Sequence, residues 1–123
     1  MIKGFFKYGF PMIELVVKGK KIEFLIDTGF NGHLMLPKRI INQMNLRGIG
    51  SSDYTTASGE GKETEIYKAK LKFFNEEIEV SVLSTNGDFS LAGIELFNDC
   101  RIVIERHRDL VEITKTNVTI NDS

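Results

Sequence analysis

The stretch that most constrains this chain is Phe24-Leu25-Ile26-Asp27-Thr28-Gly29-Phe30-Asn31-Gly32-His33-Leu34-Met35-Leu36-Pro37. An apolar run delivers one carboxylate into a tight turn, Gly29 and Gly32 allow close backbone approach, and a second apolar run leaves the turn. Burying an unpaired charge costs several kcal/mol unless partners relieve it, so an acid at the end of a buried strand calls for a use. As a tripeptide, Asp27-Thr28-Gly29 is ordinary turn vocabulary. Its setting gives it weight: apolar residues on both sides, and Leu91-Ala92-Gly93 far downstream ending another run of strands.

With 123 residues the chain is expected to form a single domain, 1–123, around one core. Its 16 basic and 17 acidic residues are interleaved, which argues against a nucleic-acid partner and against a lipid-binding surface. Lys7 and Glu14 interrupt the first apolar stretch, and no run approaches the roughly 18 apolar residues of a membrane span. The expectation is a cytoplasmic protein with no membrane contact. Cys100 is the sole cysteine, excluding an internal disulfide or a cysteine metal cluster, and Ile102 and Ile104 nearby mark it as a core residue.

Taken in order, residues 1–11 are too apolar for a free tail and too irregular for a helix, so they are expected to pack on something. Ile13, Leu15 and Val17 alternate with Glu14, Val16 and Lys18, and Ile22, Phe24 and Ile26 with Lys21 and Glu23, on either side of Lys18-Gly19-Lys20, which predicts a hairpin running into Asp27. Residues 33–36 read as a strand. Pro37 opens a helix over 38–44 that buries Ile40, Ile41 and Met44. Gly48, Gly50, Ser51 and Ser52 mark a loop. A second hairpin follows, with its tip at Ser58-Gly59-Glu60-Gly61 and with Tyr67, Ala69, Leu71 and Phe73 sharing one face; two glycines at the apex make it a candidate lid. Residues 78–83 form another strand. Phe89 to Gly93 re-enters the core, 94–99 is a short helix turning Ile94, Leu96 and Phe97 inward, and 101–105 with 110–114 close the chain as a hairpin. The two halves repeat one plan, with 25–29 in the place that 91–93 holds in the second.

At this point the chain resembles the retropepsin-like aspartic proteases, from about residue 12 to 114. The resemblance is carried by Ile26-Asp27-Thr28-Gly29 behind an apolar strand, by the exit Leu34-Met35-Leu36-Pro37, by Ala57-Ser58-Gly59-Glu60-Gly61 as a flap tip, and by Leu91-Ala92-Gly93-Ile94-Glu95-Leu96 before the last helix. It implies an all-β closed barrel with one or two short helices, working as a homodimer without metal or cofactor on a peptide or protein substrate. Each copy would give one Asp27 to a shared pair that holds one proton and titrates as a unit. By the same resemblance Thr28 bonds across the two-fold axis and Gly29 turns its N–H toward the carboxylates. Phe30, Gly32, Ala57, Ser58, Gly59 and Gly61 would border the substrate, and the termini of both chains, 1–11 and 115–123, would pair to hold the dimer. Phe30 departs from the small residue that the viral proteins place after the triplet.

Two other readings compete. One keeps the fold but removes catalysis, leaving a dimer that binds extended peptides or mediates assembly. The other is an unrelated β-barrel binding module with Asp27 in a structural turn. His33 and His107 are the only histidines, and neither has the companions a metal site needs.

Overall fold

The computed structural model of the chain describes residues 1–55, 59 and 61–116. The first residues do pack, as two short strands, β1 (Ile2–Lys3) and β2 (Phe5–Lys7). The predicted hairpin is β3 (Phe10–Val17) and β4 (Lys20–Asp27), joined by Lys18 and Gly19 at φ 48° and 80°, the doubly left-handed geometry that suits a two-residue hairpin. Next come β5 (Leu34–Pro37) and α1 (Lys38–Met44), with Ile41 and Met44 buried and Ile40 half-buried against the same core. Lys18 Nζ donates to the Met44 carbonyl at 2.7 Å, answering one of the acceptors that a helix C-terminus leaves open.

Residues 48–52, expected as a loop, lie instead inside β6 (Arg47–Thr55), where a register shift between Gly48 and Gly50 absorbs the glycines as a bulge. Glycine composition alone does not separate a bulged strand from a loop. The strands β7 (Gly61–Phe73), β8 (Glu76–Thr85) and β9 (Leu91–Gly93) follow, then a 3-10 turn at Ile94–Phe97, β10 (Cys100–Glu105), a second 3-10 turn at Arg106–Arg108 and β11 (Leu110–Lys115). Leu96 and Phe97 are buried as expected. Ile94 is 41 % exposed, because the segment is wound as a tighter 3-10 turn whose side chains fan out differently from a helix.

The larger sheet runs β2-β3-β4-β9-β5-β8-β7-β6, and a further β3–β7 pairing closes six of these strands into a barrel. Ile13, Phe24, Ile26, Leu34, Leu36, Leu71 and Val82 fill it. The smaller sheet, β1-β11-β10, packs Val111 and Ile113 onto the same core. The terminal strand β1, expected to await a partner chain, is thus paired within its own chain, Ile2 with Ile113 and Lys3 with Glu112.

Strand pairing also resets the internal repeat. Asp27, last in β4, lies beside Gly93, last in β9; Thr85, last in β8, lies beside Pro37, last in β5; and β5 and β9 run antiparallel between them. The counterpart of β5 is therefore β9, and the counterpart of the Asp27 end of β4 is the Thr85 end of β8. Residues 25–29 and 91–93 are neighbours rather than equivalents. Both end in glycine after an apolar pair, which is why the sequence alone confuses them.

Candidate active site

Asp27 is half-buried, and its Oδ1 accepts a hydrogen bond from the Gly29 N–H at 3.0 Å, while the Phe30 N–H closes the turn on the Asp27 carbonyl at 3.2 Å. The carboxylate is thereby aimed by its own backbone, the Asx-turn behaviour of a short acid before glycine. Thr28 and Gly29 are exposed on the crest of the turn.

The rest of the loop is strapped to the segment after β9. Gly93 N–H donates to the His33 carbonyl at 2.8 Å, Ile94 N–H to the Phe30 carbonyl at 2.9 Å, and Glu95 N–H to the Gly32 carbonyl at 3.3 Å. Such close backbone approach demands glycine at 93, since a Cβ there would collide with the Gly32 carbonyl oxygen and lie 2.6 Å from Phe30 Cδ2. Phe30 is 2 % exposed and packs with Met35 and Leu83. Expected at the edge of the substrate, it is buried within the chain, with Ile66 and Leu91 also packed against this cluster, and burial of its aromatic ring helps to hold the loop.

His33 closes the loop. Its Nδ1 accepts a hydrogen bond from the Ser81 N–H at 3.2 Å, one residue before β8 joins β5 at Val82, so the imidazole extends the ladder where the β5 backbone has not yet arrived. Burial lowers the His33 pKa below its usual value, Glu95 opposes that shift and Lys68 adds to it.

Register places a floor beside the carboxylate. Met12, Leu25, Leu91, Met35, Leu83 and Ile66 are successive rung partners across β3, β4, β9, β5, β8 and β7. Directly opposed residues share a face, so these six form one apolar row, and Asp27, two residues on from Leu25, stands on the same face. The row ends at Ile66 in the hairpin β6–β7. Gly61 begins β7 opposite Thr55, and Gly59, at φ 86°, takes a conformation that favours glycine. Ala57 and Ser58 lie outside the described residues. The structure thus brings Asp27, Thr28, Gly29, Phe30 and Gly32 into one loop, and carries Gly59 and Gly61 on a separate hairpin.

Two residues of this site escape sequence reasoning. Gly93 reads as the end of a strand, and nothing in the sequence says that it abuts Gly32. Thr85-Asn86-Gly87 reads as loop, yet Gly87 N–H donates to Thr85 Oγ1 at 3.0 Å, the same bond in the second half that Gly29 makes to Asp27 in the first. The available signal was a side-chain acceptor two residues before glycine at the end of an alternating strand.

No family model and no curated protein matches the sequence. Solved structures do. A retropepsin-like aspartic protease from Rickettsia conorii superposes with a TM-score of 0.62 at 20 % identity, over 90 % of this chain and 86 % of that one. EIAV protease, in a complex with the inhibitor HBY-793, gives 0.60 at 17 % identity, over 71 % and 84 %. The retroviral protease-like domain of Ddi1 from Leishmania major gives 0.52 at 12 % identity, over 90 % and 98 %. Mostly strands with one short helix and a closed six-stranded barrel, the chain has a retropepsin-like fold.

Proposed function

We propose that the protein is a homodimeric aspartic endopeptidase whose catalytic pair consists of Asp27 from each of two chains. The observation that carries the reading is the aimed Asp27 carboxylate standing on the apolar row of a retropepsin-like fold. The matching position in the second half holds Thr85, so the chain owns one acid where the chemistry needs two.

Two carboxylates within hydrogen-bond reach share a single proton. The ionised partner takes a proton from a water held between them, and the water oxygen bonds to the carbonyl carbon of the peptide. The protonated partner gives its proton to the carbonyl oxygen. In the collapse of the tetrahedral diol the protonated carboxyl gives its proton to the leaving nitrogen as the C–N bond breaks, and the ionised carboxylate takes the proton of one diol hydroxyl as the C=O re-forms, releasing an amine and an acid and leaving the pair with one proton. Thr28 and Gly29, exposed on the crest of the turn, face the partner loop. The apolar row suits a peptide bound as an added strand with apolar side chains directed at the floor, and the hairpin bearing Gly59 and Gly61 covers it. No helix among the described residues is long and apolar enough to cross a membrane.

The test is cleavage of a denatured protein from mildly acidic to neutral pH by wild type and by Asp27→Asn. Wild type is expected to cleave and the near-isosteric variant to lose activity while keeping its fold by circular dichroism. Equal inertness of both overturns the enzyme reading and leaves the fold as a peptide-binding or assembly module.

A further inference from the structure

We propose that the second copy docks along the open edge of β10, antiparallel and centred on Val103, joining two three-stranded sheets into one of six strands. The proposal rests on the homodimer reading, which requires a twin, and deepens it by assigning the seam. In the smaller sheet β11 is flanked on both sides, whereas β10 meets no other strand among the described residues. Of the two edges, β1 is two residues long and β10 six, so β10 offers the longer row of unpaired backbone groups. Exposed edges are usually blunted by proline, a bulge or an inward charge. Cys100-Arg101-Ile102-Val103-Ile104-Glu105 has no proline, pairs with β11 in unbroken register, and leaves Ile104 43 % exposed.

The strand is also complementary to itself. Opposite residues share a face, so Ile102 and Ile104 follow Ile113 and Val111, their partners in β11, on the face toward the core, and Arg101, Val103 and Glu105 share the other. A two-fold antiparallel seam must match like faces, which puts its centre on a residue. Centred on Val103, it sets Arg101 against the partner's Glu105 and Ile102 against the partner's Ile104, so both charges are answered and the exposed isoleucine is covered. Centring it on Ile102 or Ile104 sets Arg101 or Glu105 against the partner's Val103 and leaves that charge unmatched. Glu105 Oε2 lies 3.6 Å from Arg108 Nη1 across a solvent-exposed contact, weak enough to exchange for the new one.

Two measurements test the seam. In a Cys100→Ser background, Val103→Cys should give a disulfide-linked dimer under mild oxidation, since the two copies of residue 103 would be direct rung partners. Glu112→Cys, opposite Val103 but on the middle strand, should not. Independently, Arg101→Glu should weaken association in a sedimentation dilution series by about tenfold, because it occurs twice per seam, and adding Glu105→Arg should restore it. Cross-linking no better at 103 than at 112, or an Arg101→Glu variant as tightly dimeric as wild type, overturns the proposal. A protein that cleaves through Asp27 but ignores both seam tests keeps its catalysis and loses this interface. One that cross-links at 103 yet stays inert keeps the interface and loses the protease reading.

Discussion

The two halves of the barrel share one plan and diverge at the turn. In the first, β4 ends in Asp27, the following loop is strapped by backbone N–H groups from residues 93–95, and Phe30 is buried. In the second, β8 ends in Thr85 with the same side-chain bond to a glycine two residues on, but its loop is held more loosely: the Leu25 N–H donates to the carbonyl of the buried Ser90 at 2.9 Å, while Asp88 meets Arg39 across an exposed 3.6 Å contact and Phe89 is 50 % exposed. The same backbone device thus holds a hydroxyl in one half and a carboxylate in the other. What distinguishes the acid-bearing half is the support under it, and that support comes from its twin: Gly93, at the end of β9, gives both the space and the first donor. The difference teaches that the second half braces the first through the segment after β9.

Removing that brace should separate the halves most sharply. Phe30→Ala empties a sealed site, and truncating a buried Phe to Ala costs about 3–5 kcal/mol; urea unfolding should show a loss in that range. Phe89→Ala, the same change in the counterpart loop, should stay within about 0.5–1 kcal/mol, since an exposed ring in edge contact with Phe10 at 6.2 Å has little to lose. Equal losses would mean that the two loops are supported alike. Gly93→Ala comes next. Its Cβ would meet backbone at Gly32 as well as the Phe30 ring, neither of which moves cheaply, so a loss of about 1–3 kcal/mol is expected together with reduced activity. A variant as stable and active as wild type would show that the strap yields.

Much of this was legible in the sequence. Period-two alternation located β3, β4, β7 and β8, Pro37 located the start of α1, and an apolar run ending in Asp27-Thr28-Gly29 located the turn, because each of these is a local pattern with a local cause. What was not legible is lateral. Nothing in the order of residues says that Asp27 lies beside Gly93, that β1 is claimed by β11, or that Phe30 is buried against Met35 and Leu83. Glycines misled twice for the same reason: at Gly48 and Gly50 they serve a bulge, and at Gly93 they serve a neighbour. The sequence lists the glycine but not what approaches it.

The smallest expected effect concerns the latch that joins the halves through His33, whose Nδ1 accepts from the Ser81 N–H while Glu95 and Lys68 act on its charge. Replacing His33 by Ala at neutral pH should cost about 1 kcal/mol, the worth of one hydrogen bond with its acceptor lost. Protonation would turn the acceptor into a donor facing another donor. Because burial lowers the His33 pKa in the fold, the unfolded chain takes up a proton first as pH falls. The stabilisation is therefore complete above the ordinary histidine value near about 6.5 and is lost as pH drops from there through the lower folded value. His33→Asn keeps an acceptor on a side chain that does not titrate. Across that window wild type should lose stability relative to His33→Asn in urea unfolding, and the gap should stop growing once His33 is protonated in both states. An acid-side curve parallel to that of the variant would show that folding leaves the titration of the imidazole unshifted, and that the Ser81 contact does not distinguish its charge states.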